Sequence, residues 1–292
     1  MYNAGFTKRP SWLKIKLPGG TDFLDVKRIL NQQRLNTVCK SAHCPNLSEC
    51  WNRRTATFMI LGDICTRNCR FCAVNSGVPN SVDNDEPKRV AQAVQQLGLK
   101  YVVITSVTRD DLEDGGAQIF ANTIIEIRNI QTECKIEVLI PDFKGIERSL
   151  LKVLHARPDV LNHNIETVKK FYTRVRPQAS YERSLSLLKK AATYGALTKS
   201  GLMLGLGETM SEVKQVILDL VSVNCQILTL GQYLQPTKNH LPVARFLRPD
   251  EFTELKKYGL SAGLRHVEAG PLVRSSYHAD EQINSLMVNY MS

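Results

Sequence analysis

"TATFMILGDICTRNCRFCAV", residues 55–74, sets an apolar, β-branched run directly before three cysteines. The run 55–62 has the length and composition of a buried strand, and turn residues Gly62 and Asp63 end it. Outward from it, similar runs at 101–107, 135–140, 159–166, 199–207 and 226–234 read as strands. Helical patterns lie between them at 87–97, 117–131, 146–155, 181–194 and 209–224. The best is the last, where Val213, Val216, Ile217, Leu220 and Val221 form one apolar stripe behind the capping-box pair Thr209 and Glu212. Strands alternating with helices imply parallel βαβ units. Six units are too few for a full eight-stranded barrel. The expected fold is therefore α/β, an open, partial (β/α)6 barrel over 55–265. It has an N-terminal extension, 1–54, and a C-terminal segment, 266–292, whose stretch 266–274 can add a further strand. Functional loops should follow the strands at their C-terminal ends.

The chain has 292 residues, 43% of them hydrophobic, enough for a sizeable core. No apolar run approaches the ~18 residues of a membrane span. The stretch "MYNAGFTKRPSWLKIKLPGG" (1–20) lacks the apolar h-region of a secretory signal. A reducing, cytoplasmic location is the default expectation, with organellar origin left open. The eight cysteines then read as thiols or metal ligands rather than disulfides. A formal charge of +10 suits nucleic acid, anionic cofactors or acidic partner proteins equally.

Cys65, Cys69 and Cys72 share their loop with Thr66, Arg67, Asn68 and Arg70, a polar setting at odds with three inert buried thiols. A structural zinc takes four ligands, commonly as two separated pairs, and no such second pair follows; a three-ligand catalytic zinc stays open. A redox C-x-x-C would leave Cys65 unexplained. Iron–sulfur chemistry fits better. A four-iron cluster normally has four cysteines, so three leave one iron free to bind a small molecule. Upstream, "CKSAHCPNLSECW" holds a second set with different spacing, Cys39, Cys44 and Cys50. Zinc with His43 as fourth ligand is the alternative there to a second cluster.

C-x3-C-x2-C with Phe71 before its last cysteine resembles the radical S-adenosylmethionine superfamily, whose usual fold is the partial barrel expected here. With C-x4-C-x5-C upstream, the chain more closely resembles the lipoyl synthase family. "TSVTRDDLEDGGA", "NHNIETV", "QYLQPTKNHLPV" and "VRSSYHAD" match as well, so the resemblance runs from about residue 37 to 280. One departure, Lys40-Ser41 where an acidic pair is usual, avoids the ligand positions.

The resemblance implies two [4Fe–4S] clusters. The one on Cys65, Cys69 and Cys72 binds S-adenosylmethionine and reduces it to a 5′-deoxyadenosyl radical. The one on Cys39, Cys44 and Cys50, in the N-terminal extension, gives up sulfur. Two sulfur atoms enter C6 and C8 of an octanoyl chain on a carrier lysine. The resemblance also points to Ser276, in the C-terminal segment, as the second cluster's fourth ligand, with Arg274 moving or neutralising charge beside it. A serine oxygen is harder than a thiolate and should release iron more readily. Implied partners are octanoylated lipoyl carrier domains of 2-oxoacid dehydrogenases and the glycine cleavage H protein, a ferredoxin or flavodoxin electron donor, and an iron–sulfur carrier. Neither nucleic acid nor membrane is an expected partner. The runner-up is another two-cluster sulfur-inserting enzyme, such as a tRNA methylthiotransferase, against which the lack of an obvious RNA-binding domain counts. A zinc-binding nucleic-acid module has only charge and cysteine count in its favour.

Phe71 is expected near the adenine. Thr105 and Ser106 end the second strand, where ligand contacts concentrate. Asn162, Asn164 and Glu166 alternate and so could converge on the cofactor, or be buried polar groups satisfied within the barrel. Asp110, Asp111 and Asp114 read as loop-solvating or helix-capping residues as readily as functional ones, and the resemblance implies that Gly115 and Gly116 shape a tight turn near the cofactor. Arg174 and Arg176 suit a carboxylate or a salt bridge. The histidines at 155, 163, 240, 266 and 278 show no ligand spacing, and Cys134 and Cys225 read as small buried apolar residues.

Overall fold

The computed structural model describes residues 10–14 and 19–288. Seven parallel strands form its centre: β1 Thr57–Ile60, β2 Tyr101–Ser106, β3 Lys135–Leu139, β4 Val160–Asn162, β5 Thr198–Leu204, β6 Ile227–Gln232 and β7 His266–Gly270. They lie side by side in chain order, and every pairing between them is parallel. The further strand that the sequence left open at 266–274 forms as β7. Among the described residues β7 does not pair back with β1, so the barrel stays open. A two-residue strand, Asn36–Thr37, adds antiparallel to the outer edge of β1. The N-terminal extension and the C-terminal segment thus both contribute to the main sheet.

The expected helices appear as Glu86–Leu97, Ala117–Ile130, Glu147–His155, Tyr181–Thr193 and Met210–Ser222. Gly98, at φ +65°, ends the first in the left-handed conformation that glycine adopts without strain. The capping box on the last is present, with the Glu212 amide donating to Thr209 Oγ1 and the Thr209 amide to Glu212 Oε2. Among the additional helices, two of the longer ones pack on the core. Thr21–Gln32 turns Phe23, Val26, Ile29 and Leu30 into the core shared with β1 and β2. Pro249–Ser261 links β6 to β7 and buries Phe252 and Leu255. Its signals are Pro249 at the first turn and Asp250 and Glu251 beside it, which favour a helix N-terminus.

The apolar core fills the space between strands and helices, as expected when both faces of a parallel sheet are covered. The barrel also encloses a charged group of side chains. Lys199 and Glu137, both fully buried, pair at 3.1 Å. Tyr101 Oη and Asn162 Nδ2 donate to the same carboxylate at 2.7 and 2.8 Å. The two charges are partnered, which offsets the large cost of burying them, while Asn162 Oδ1 is buried without a partner. No helix among the described residues is long and apolar enough to cross a membrane.

Candidate functional site

The loop after β1 is pinned at both ends. Ile64–Cys65 pairs in parallel with Asn75–Ser76, and the Gly77 amide donates to the Cys65 carbonyl at 3.0 Å. Cys65 Sγ accepts from the amides of Arg67 and Thr108 at 3.4 and 3.3 Å. Arg67, between the first two cysteines, turns inward and is 5% exposed. Its guanidinium grips Asp110 through two bonds, at 2.6 and 3.0 Å, and reaches Asp142 at 2.6 Å. Burial alone would raise the Asp142 carboxyl, but hydrogen bonding to Arg67 and its charge outweigh it and hold the group well below the usual carboxylate range. Arg183 adds a second cation at 3.1 Å. On the loop's far side, His240 Nε2 lies 2.9 Å from the Cys72 carbonyl oxygen.

The second triplet rests on two short helices. Thr37 caps Val38–Ser41, which carries Cys39, and Leu47–Asn52 carries Cys50; the Cys44 amide donates back to the Cys39 carbonyl at 3.1 Å. The C-terminal segment then crosses to this triplet. The Asn46 side chain donates to the Leu272 carbonyl at 2.7 Å, and Thr57 Oγ1 donates to Ser276 Oγ at 2.8 Å across 219 positions. Thr57 draws the Cys39 thiol down against the rise that burial causes, and the charge of Arg274 does the same to Cys44. Gly231, in β6, makes the crossing possible, since a Cβ there would overlap the Val273 carbonyl.

All six cysteines line one cavity of about 980 Å³, together with Phe71, Thr105, Ser106, Asn164, Glu166, Arg176, Arg274 and Ser276. That is the upper end of small-molecule sites. Asn162 is the exception among the expected contacts. It is fully buried, donates to Glu137 and does not line the cavity. Strand β4 ends at Asn162 and Glu166 takes φ +67°, so the alternation that would converge all three side chains stops there. Asn164 instead joins its neighbours, donating to Glu166 at 3.0 Å and accepting from Ser275 at 2.9 Å. Burial pushes the Glu166 carboxyl up, against the lowering influence of Arg176, Asn164 and Arg274.

The donor set fits iron–sulfur clusters. All six thiols are free. Burial pushes Cys39 up to about 11 and Cys50 and Cys72 up to about 12, and a bound cation deprotonates such thiols. No three His, Cys, Asp or Glu among the described residues gather closely enough for a single metal ion. A [4Fe–4S] cluster spreads its cysteine ligands over several irons rather than gathering them on one. Two polar atoms beside the thiols, Ser106 Oγ and Arg176 Nε, are buried without a partner. Such atoms mark where a polar ligand would be satisfied.

Other residues resolve into structural roles. Asp114 caps the helix Ala117–Ile130 by accepting from Gly116 and Gln118 amides. Asp111 pairs with Arg109, and Asp110 braces Arg67. Cys134 and Cys225 are buried in the core and do not line the cavity. Arg176, read from the sequence as suited to a carboxylate or a salt bridge, lines the cavity and donates to the Asn164 carbonyl at 2.9 Å, whereas the Arg67–Asp142 brace and Thr57 were not singled out by motif. An arginine inside a C-x3-C loop was the one local hint.

Residues 59–220 match the radical SAM superfamily. Among curated proteins, the lipoyl synthase of Roseiflexus sp. is 55% identical over 280 residues, covering 95% of this chain and 93% of that protein. The lipoyl synthase of Caldicellulosiruptor saccharolyticus is 54% identical, covering 94% and 97%. Solved structures with the same fold include Streptococcus suis SuiB bound to S-adenosylmethionine, with TM-score 0.58, 10% identity and coverage of 77% of this chain and 54% of that one. Methylornithine synthase (PylB) matches with TM-score 0.50 and 13% identity, covering 92% and 93%.

Proposed function

Because this chain belongs to the lipoyl synthases of the radical S-adenosylmethionine superfamily, we propose that its two cysteine triplets serve one reaction in one cavity. That reaction is the insertion of sulfur at C6 and C8 of an octanoyl chain carried on a lipoyl carrier lysine. The observation that carries the reading is that both triplets and Ser276 line the same 980 Å³ space. A radical made at one triplet would otherwise have no sulfur source within reach.

Cys65, Cys69 and Cys72 would hold one [4Fe–4S] cluster, and Cys39, Cys44, Cys50 and Ser276 the other. When bound, the first with S-adenosylmethionine supplies a carbon-centred oxidant that abstracts hydrogen from an unactivated C–H bond, and the second supplies the sulfur. The chain's own residues set the stage. Arg67 and the amides on Cys65 fix the first loop. Phe71, Thr105, Ser106, Asn164, Glu166 and Arg176 offer an aromatic face and polar groups for the nucleoside and its amino-acid end. Arg274 lines the same cavity as both cysteine sets, and its charge acts on Cys44 and Glu166. Ser276, held by Thr57, offers the oxygen ligand that can leave.

The N-terminal extension (1–54), barrel (55–265) and C-terminal segment (266–292) would then be three parts of one catalytic unit. The reading extends to carrier domains of 2-oxoacid dehydrogenases and the glycine cleavage H protein, to ferredoxin or flavodoxin as reductant, to an iron–sulfur carrier for rebuilding, and to a cytoplasmic setting. The test is anoxic turnover of the reconstituted chain with S-adenosylmethionine, reductant and an octanoyl-lysine peptide. Mass spectrometry should show two sulfur atoms gained per peptide. An unmodified peptide, with 5′-deoxyadenosine formed, would reject the reading.

A further inference from the structure

The C-terminal segment does not rest on Ser276 alone. Glu49, on the short helix Leu47–Asn52, lies one residue before Cys50 and faces the segment that carries Ser276. Tyr277 Oη donates to Glu49 Oε1 at 2.8 Å, and His278 Nε2 lies 3.0 Å from the same oxygen. The Tyr277 and His278 rings lie against each other, with centroids 4.0 Å apart. Arg53, one turn on from Glu49, donates to Glu281 at 2.7 Å and lies 2.7 Å from His278 Nε2. These contacts join positions 228 and 229 apart in the chain. Every one of them lies outside the cysteines' own coordination.

We infer that Glu49 is a positioning residue, which clasps the 272–278 segment to the helix of Cys50 and so keeps Ser276 over the second triplet. The inference deepens the functional reading above and rests on it. The geometry separates two jobs. Thr57 orients the Ser276 hydroxyl from the barrel side. Glu49 anchors the two residues that follow it from the N-terminal side. A ligand that must detach during turnover needs an anchor that does not detach with it, or the segment would leave too. Glu49 supplies that anchor through bonds to a carboxylate, which are stronger than neutral ones.

The first measurement needs no iron. Amide exchange over residues 271–279 in the cluster-free chain should quicken about tenfold in Glu49→Ala, the change expected on losing charge-assisted hydrogen bonds. Glu49→Gln, which keeps an acceptor for Tyr277, should restore most of the protection. Tyr277→Phe, which removes only the hydroxyl, should give a smaller increase and serves where Glu49→Ala folds poorly. The second measurement uses the reconstituted chain and a chain with Cys65, Cys69 and Cys72 replaced by Ala, in which only the second triplet can hold iron. Chelator should strip iron from the second triplet about tenfold faster in Glu49→Ala, in both backgrounds. Loss from the first triplet should not change, a selectivity that general destabilisation would not produce. Exchange and iron release within about twofold of wild type, in both Glu49→Ala and Tyr277→Phe, would overturn the inference. Failure of the wild-type chain to make lipoyl product would instead strike the functional reading and leave the exchange result standing.

Discussion

The two cysteine triplets are built in opposite ways. Cys65, Cys69 and Cys72 sit within eight residues of one loop, tied to β1 and braced from beneath by Arg67 on Asp110 and Asp142. Cys39, Cys44 and Cys50 lie in the N-terminal extension, and their neighbour Ser276 arrives from the other end of the chain. The first arrangement keeps its three half-buried thiols on one short loop, with the buried Arg67 paired by charge beneath them. The second draws on distant segments, since Ser276, its proposed oxygen ligand, sits on a crossing segment 219 positions from Thr57. The difference matches the chemistry. A centre that must survive each turnover gains from a rigid loop. A centre that surrenders sulfur needs a ligand that can let go, and a hard oxygen donor is suited to that.

The largest effects should come from emptying each triplet in turn. Wild-type protein, fully reconstituted, should hold about eight irons and either triple-Ala variant about four, from the four-iron stoichiometry. Replacing Cys65, Cys69 and Cys72 should abolish 5′-deoxyadenosine formation. Replacing Cys39, Cys44 and Cys50 should leave some cleavage but no sulfur insertion. Lipoyl product from the second variant would break the comparison outright.

Ser276 tests the division more finely. Ser276→Ala should still cleave S-adenosylmethionine and form little or no lipoyl product. Ser276→Cys should retain the second cluster yet transfer sulfur poorly, because a thiolate holds iron more persistently. The ratio of product to 5′-deoxyadenosine, measured by mass spectrometry, checks both. An unchanged ratio in both variants would remove Ser276 as a functional ligand.

Arg67→Ala addresses the brace. It should lower the stability of the cluster-free chain by about 3 kcal/mol, the lower end for breaking a buried pair, because Arg183 still reaches Asp142 at 3.1 Å. Urea unfolding at neutral pH measures it. Iron should be lost first from Cys65, Cys69 and Cys72; equal loss from both triplets would mean that the brace serves the whole barrel instead.

Mild acid should give the smallest separation. His163, 1% exposed, contacts the Ile140 carbonyl at 2.9 Å and Ser184 Oγ at 3.0 Å and lines the cavity shared by both triplets. Burial, helped by the charge of Arg176, lowers it to about 4. The unfolded chain then binds the proton first. His163's contribution is complete above the ordinary histidine range and is lost as pH falls from about 6.5 through 4. Between pH 7.5 and 5 the cluster-free chain should lose roughly 2 kcal/mol by this route. His163→Gln, which does not titrate, should flatten that slope. A slope unaltered by the substitution would assign the pH dependence elsewhere.

Much of this was legible in one dimension. The strands and their intervening helices follow from short β-branched runs and an apolar stripe of period 3.6, both local patterns. Each triplet was visible because its ligands fall within twelve residues or fewer of one another. Ser276 entered through family resemblance, since nothing in its immediate neighbourhood marks it as a ligand. The helix Pro249–Ser261 escaped notice because its buried side is thin, although Pro249 and two acids mark its start.

The folded chain alone decided the rest. It put Thr57 against Ser276, turned Asn162 toward Glu137 and away from the cavity, and set Arg67 on Asp142. It also joined Glu49 to Tyr277. The physical reason is sequence separation. Spacing along a strand or loop constrains residues a few bonds apart, because backbone geometry carries the information directly. Contacts between residues 75 or 219 positions apart form only when seven strands have stacked in order and the crossing segment has closed over them. No local pattern encodes where those long loops of chain come to rest.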